Sequence, residues 1–120
     1  MANSIIEQKS FDFAVRIIRL CKYLRSSGCE RELISQLLRS GTSIGANIAE
    51  AERSQSKKDF ISKMYISYKE TNETIYWIKL LHASNYLSKT EIESILPDCI
   101  EIQKLLTSIL KTSNEKQIIK

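Results

Sequence analysis

Glycine and proline are scarce, at three and one among 120 residues. The chain therefore has few places to turn, and no stretch shows convincing strand alternation. Histidine occurs once, and no Glu-x-x-His pair exists, which removes the di-metal carboxylate bundles at their first requirement. With no strand there is no strand-borne, glycine-rich phosphate loop. The three cysteines, Cys21, Cys29 and Cys99, are odd in number and lack metal or redox spacing. Cys21 and Cys99 fall on apolar helical faces and read as small core residues, whereas Cys29 follows Gly28 in a turn and is expected to be exposed. This usage suits a reduced cytoplasm. The opening residues lack a basic leader with an apolar core, and no apolar run approaches the roughly 18 residues that span a bilayer. No nucleophile, metal cluster or phosphate loop survives these exclusions, so neither catalysis nor a cofactor is expected.

What remains is helical periodicity. Residues about 100° apart place Phe13, Ala14, Ile17, Ile18, Leu20, Cys21 and Leu24 on one side of a helix from about Lys9 to Ser26. Gly28 ends it as a left-handed cap. A second helix runs from about Arg31 to Arg53, with Leu33, Leu37, Ile44, Ile48 and Ala51 as its stripe. Ser56 with Asp59 forms a cap that opens a third helix, Lys57 to about Ser84, apolar on two sides. Phe60, Met64, Tyr68, Thr71, Ile75, Ile78 and His82 follow one stripe; Ile66, Trp77 and Leu80 lie on the other. Ser88 with Glu91 repeats the box and starts a fourth helix striped by Ile92, Ile95, Cys99, Ile102, Leu106 and Ile109. Pro97 interrupts its interior and is expected to bend it. Beyond Thr112 the chain turns polar and basic, with Ile118 and Ile119 stranded near its end. Short connections favour antiparallel neighbours, so the expectation is all-α: an up-down-up-down four-helix bundle assembling through helix faces. One domain covers 1–120, its core about 9–112 and both termini frayed.

The run Arg39 to Ala51 departs from an ordinary surface helix. Charge appears only at Arg39 and Glu50, and Ser40, Gly41, Ser43, Gly45, Ala46 and Ala49 are small. Two glycines inside a helix cost about 1 kcal/mol each relative to alanine, so close backbone packing is expected to compensate. Gly41 and Gly45 have the spacing of a small-x-x-x-small motif. Arg39, Asn47 and Glu50 line a polar stripe on this helix, and Glu70 and Glu73 flank the Trp77 face of the next. These five are expected to form a largely buried polar network within or between subunits. His82, on an apolar stripe, reads as a hydrogen-bonded, half-buried histidine rather than a base without a partner.

The net charge is +4, and the isoelectric point is about 9.0. Over residues 1–27, five basic residues outweigh Glu7 and Asp12. Arg16, Arg19 and Lys22 are expected to face outward with Tyr23, and Lys57, Lys58 and Lys63 to form a second patch. Both suit phosphate contact, and oligomeric symmetry would repeat them into a stronger field.

Gln36 to Ala51 (QLLRSGTSIGANIAEA), Arg53 to Phe60 (RSQSKKDF) and Lys69 to Trp77 (KETNETIYW) resemble the signature blocks of four-helix-bundle proteins encoded in intervening sequences of bacterial 23S ribosomal RNA genes. The resemblance covers about Phe11 to Thr112. The accessory variability proteins of diversity-generating retroelements are similar in the same way. The resemblance implies a ring-like homopentamer and a link to structured RNA or, in the retroelement relatives, to a reverse transcriptase and nucleic acid. Arg39, Asn47, Glu50, Glu70 and Trp77 match its characteristic positions, for packing and assembly. Pro97 has no counterpart in the pattern. The expectation that results is a non-enzymatic, cytoplasmic homo-oligomer binding RNA or DNA through basic helix faces. The alternative is an interaction scaffold recruiting a protein such as a reverse transcriptase.

Overall fold

The computed structural model describes residues 2–119, with side chains from 5 to 114. It contains α1 (Ala2–Ser26), α2 (Arg31–Glu52), α3 (Lys57–Ala83) and α4 (Lys89–Ile119). The bundle is elongated, 52 × 22 × 22 Å. Each helix packs on its neighbours in sequence, α4 closes on α1, and the diagonal pairs do not approach at the backbone among the described residues.

Cross-helix partners run in opposite directions on α1–α2, on α2–α3 and across the closing α1–α4 seam. On α1–α2, Cys21 reaches the Ile34 carbonyl at one end, and Ser10 meets Gly45 towards the other. On α2–α3, the pairs descend from Ser40–Thr74 to Ile44–Ser67 and Glu50–Lys63. On α1–α4, Arg16 faces Ser94 and Asp98 while Lys9 faces Glu101. The turns are built locally. Gly28 adopts φ +79°, letting the Cys29 N–H reach back to the Leu24 carbonyl at 3.1 Å. Asn85 plays the same part after α3, at φ 70°, with the Tyr86 N–H on the Leu81 carbonyl at 2.8 Å. Ser56 caps α3 through the Asp59 N–H. At α4 the capping box is reciprocal: the Glu91 N–H donates to Ser88 Oγ, and the Ser88 N–H to the Glu91 carboxylate. That bond, with one from the Tyr23 hydroxyl, holds the Glu91 carboxyl below its ordinary pKa.

The core follows the predicted stripes, with Phe13, Ile17, Leu24, Leu37, Ile44, Ile48, Met64, Ile78, Leu81, Ile102 and Leu106 fully enclosed. Several details differ from the sequence expectation. Ile18 is 43% exposed, because it sits at the edge of the α1 stripe and α2 does not extend over it. Cys29 is buried, since the glycine turn folds it inward onto the end of the bundle. Helix α1 begins at Ala2 rather than near Lys9: Ile6 and Ser10 are buried and continue the Phe13–Ile17 stripe downward. Helix α4 passes through Pro97 and on to Ile119, while the side chains of Ile118 and Ile119 lie outside the described residues. Helix α3 buries Ser67, Thr71 and Thr74. Ser67 donates to the Ile44 carbonyl at 2.8 Å, Thr71 to Ser67 at 2.8 Å, and the Thr74 and Ser40 hydroxyls meet at 2.9 Å. Small hydroxyls bring α2 and α3 close without leaving a polar group unpaired.

On its other side α2 meets α1 at the two glycines. A Cβ on Gly41 would stand 2.9 Å from both Ile17 Cγ1 and Cγ2, and Ile17 is fully buried, with no room to retreat. A Cβ on Gly45 would meet the Ser10 carbonyl and hydroxyl oxygens at 3.3 Å. Gly41→Ala is therefore expected to destabilise the fold by about 1–2 kcal/mol, overpacking outweighing the roughly 1 kcal/mol helix gain. Gly45→Ala should be closer to neutral, and Ile17→Val should relieve part of the Gly41→Ala cost. Denaturant unfolding of the four proteins checks the order.

Candidate nucleic-acid interface

From Phe13 to its end at Ser26 α1 carries no acidic residue, and its cations spiral up the helix at Arg16, Arg19, Lys22 and Arg25. Their situations differ. Arg16 turns towards α4, where Nη1 lies 2.5 Å from Asp98 Oδ2 and donates to the Ser94 carbonyl, and Nη2 donates to Ser94 Oγ at 2.7 Å. It is an interhelical clamp, not the outward phosphate contact expected of it. Arg19, Lys22 and Arg25 are exposed and, like Arg31 at the start of α2, have no ion pair or side-chain hydrogen bond among the described residues. Tyr23 is 46% exposed, but its hydroxyl is engaged by Glu91.

The second expected patch does not hold together. Lys63 pairs with Glu50 at 3.0 Å, and Lys57 already has an interaction within the protein. Lys58 alone of the three is exposed and without such a partner. Because the helices are antiparallel, the first turn of α3 and the last turns of α1 lie at opposite ends of the bundle. The six candidates do not form one surface. Arg25 and Arg31 are open in the same way as Arg19 and Lys22, and the acid-free run of α1 is the sequence signal for the first.

Little here can do acid-base or nucleophilic chemistry. Burial pushes the Cys99 thiol up to about 12 and raises those of Cys21 and Cys29, so no thiolate nucleophile forms near neutrality. His82 is half-buried, with Nδ1 2.9 Å from the Leu87 carbonyl, as a satisfied histidine. Among the described residues no group of three or more His, Cys, Asp or Glu could hold a metal. A groove of about 440 Å³ follows the α1–α4 seam, but the pairs Lys9–Glu101 and Arg16–Asp98 bridge it. Glu52, near the end of α2, has a buried oxygen without a hydrogen bond. Desolvation and the charge of Glu7 raise its pKa. No helix among the described residues is long and apolar enough to cross a membrane.

Within the single chain the polar network is smaller than expected. Arg39 Nη1 spans both oxygens of Glu70 at 3.2 Å, its Nη2 pairs with Glu73, and Gln36 completes the guanidinium's partners. Glu73 also accepts from Trp77 Nε1 at 3.0 Å. Asn47 and Glu50 are not members: Asn47 donates back to the Ser43 carbonyl, and Glu50 is held by Lys63. Nor is it largely buried in the single chain, since the Arg39 side chain is 47% exposed and that of Glu70 18%. Arg39→Met removes the cation between two neighbouring carboxylates. It is expected to cost about 1 kcal/mol at low salt and distinctly less at 1 M, where screening weakens both attraction and residual repulsion. Thermal unfolding at the two salt concentrations checks this.

Comparison with known proteins agrees with this architecture. A family model described as 23S rRNA-intervening sequence protein matches residues 2–108. A crystal structure at 1.70 Å of a protein of unknown function from the S23 ribosomal protein family of Bacteroides thetaiotaomicron is 50% identical. The match covers 92% of this chain and 99% of that one, with a TM-score of 0.89. No curated protein matches the chain. Over nearly its whole length, this chain belongs to the 23S rRNA-intervening sequence protein family.

Proposed function

We propose that this protein is a non-enzymatic, self-assembling bundle that binds structured nucleic acid, RNA above all, through Arg19, Lys22 and Arg25 of α1 with Arg31 of α2. The observation that carries the reading is the unpaired state of these four cations, three of them on a segment of α1 with no acid. A chain with neighbouring carboxylates available, as Arg16 and Lys63 have, would neutralise them internally. Affinity then comes from displaced counterions and falls steeply with salt; phosphate contacts of this kind position a ligand without reading its sequence. The family's name, from sequences interrupting 23S rRNA, supports RNA as the ligand.

Assembly is assigned to the outer face of α1 and α2. Phe11 is 65% exposed and Ile18 43% on α1, and the small Ala46 is exposed on α2, apolar side chains that the single bundle leaves uncovered. The homopentamer implied by the resemblance would repeat the cationic arc around a ring. The free thiols of Cys21, Cys29 and Cys99 fit a cytoplasmic setting. The same apolar face favours a second reading, a scaffold whose partner is another protein such as a reverse transcriptase. A pull-down from nuclease-treated lysate separates them, because a retained protein partner supports the scaffold alone.

Arg19→Glu with Lys22→Glu is expected to weaken binding to a structured RNA at least tenfold at about 0.1 M salt and to flatten the salt dependence. Arg16→Gln and Lys63→Gln should leave affinity within about twofold, because their charges are already answered. Assembly mass by light scattering should be unchanged throughout. Equal affinity of the double reversal and the wild type in a salt titration would refute the arc.

A further inference from the structure

Helix α3 carries a feature that its packing does not require. Its enclosed face is Met64, Ser67, Thr71, Thr74 and Ile78. At about 100° per residue, Lys58, Tyr65, Lys69 and Tyr76 fall together on the opposite side. Tyr65 is 53% exposed and Tyr76 58%. Tyrosines left this open in a single chain are not serving the core.

The strip has the local order of a prepared surface. Lys69 Nζ lies 5.8 Å from the Tyr65 ring centroid, and the Tyr65 and Tyr68 rings stack at 6.2 Å and 24°. The Tyr76 ring is braced edge-on against Trp77 at 5.1 Å. Helix α4 lies alongside, its register set by the Gln103–Asn72 hydrogen bond of 2.8 Å, and adds the exposed Lys104 at the level of Lys69. Lys79 extends the strip towards the other end. Most acids of these two helices are held elsewhere: Glu70 and Glu73 by Arg39, Asp98 by Arg16, Glu101 by Lys9, Glu91 in its cap. Among the described side chains Asp59 and Glu93 remain, near the two ends of the strip.

We propose that this strip binds single-stranded nucleic acid, Tyr65 and Tyr76 stacking on two bases while Lys58, Lys69, Lys79 and Lys104 neutralise phosphates along the strand. The two tyrosines are eleven residues apart in α3, about 16 Å along the axis, which leaves room for intervening nucleotides. Bases in a duplex present no free faces to such rings, so the strip selects unpaired strands, largely whatever their sequence. A two-fold contact between copies would set lysines against lysines here, and a heterologous ring contact through this face is separated by light scattering: the Tyr65→Ala/Tyr76→Ala protein is expected to keep the wild-type mass, and a loss of assembly would overturn the strip. The proposal rests on the nucleic-acid reading above but uses a face separate from Arg19 and Lys22.

The test is a fluorescence-anisotropy titration of two labelled RNAs, an unstructured 12-mer and a hairpin of similar length. The proteins are wild type, Tyr65→Ala/Tyr76→Ala, Tyr65→Phe/Tyr76→Phe and Arg19→Glu/Lys22→Glu. At about fivefold or more per lost stacking contact, the alanine pair should bind the 12-mer at least about 25-fold more weakly and the hairpin normally. The phenylalanine pair should bind both like wild type, and the charge-reversed protein should lose the hairpin more than the 12-mer. The single tryptophan, Trp77, should be quenched by the 12-mer in every protein except the alanine pair. Wild-type affinity of the alanine pair for the 12-mer, or an equal loss with phenylalanine, overturns the proposal. Hairpin binding without 12-mer binding by the wild type overturns the strip alone, and failure to bind either RNA at low salt overturns the nucleic-acid reading as well.

Discussion

The close approach of α1 to α2 is the constraint on which the rest of the bundle depends. Gly41 seats against Ile17 and Gly45 against Ser10, at distances that no side chain on α2 could occupy without displacement. On its other side α2 also meets small residues. That is what α3 supplies, with Ser67, Thr71 and Thr74 buried and bonded where larger apolar residues would force the pair apart. The three helices form a tightly interlocked unit, and the weakly amphipathic look of α3 follows from this geometry.

Helix α4 closes the ring under different rules. It buries Cys99, Ile102 and Leu106 and meets α3 where Cys99 Sγ faces the Thr71 carbonyl, but the seam with α1 is the sparsest of the four. Two ion pairs and the Arg16–Ser94 bonds bridge it. Exposed pairs of this kind contribute little to stability, so their consequence is chiefly electrostatic. They take Lys9 and Arg16 out of the positive surface and leave Arg19, Lys22, Arg25 and Arg31 unanswered on the side of α1 and α2. The charges available to an anionic partner are thus set by helix pairing more than by composition.

Much of this was legible along the chain because helical signals are local. The caps at Gly28, Ser56 and Ser88 and the periodic stripes locate α2 and α3 to within a residue of the observed ends, and the Gly41/Gly45 spacing announces close packing. What escaped is what depends on distant partners. Nothing near Arg16 reveals that Asp98, 82 residues away, will face it. Asn47 and Glu50 share a helical stripe with Arg39, yet Lys63 lies opposite Glu50 and only Arg39 reaches the Glu70–Glu73 pair. The left-handed Asn85 was hidden because asparagine tolerates that conformation without advertising it as glycine does. Ile18 and Cys29 were assigned to the wrong side of the surface, one at the margin of a stripe and the other in a turn whose fold-back local periodicity does not encode.

Native-state hydrogen exchange tests the central dependence most directly. If the α1–α2 contact organises the fold, the amides of α2 around Gly41 and Gly45 and those of α1 around Ile17 exchange last, at the free energy of global unfolding. The outward turns of α4 along the α1 seam open earlier, and Gly41→Ala lowers protection in all three helices of the interlocked unit together. Equal or greater protection along the α1–α4 seam, or a loss in Gly41→Ala confined to its own turn, would contradict the account.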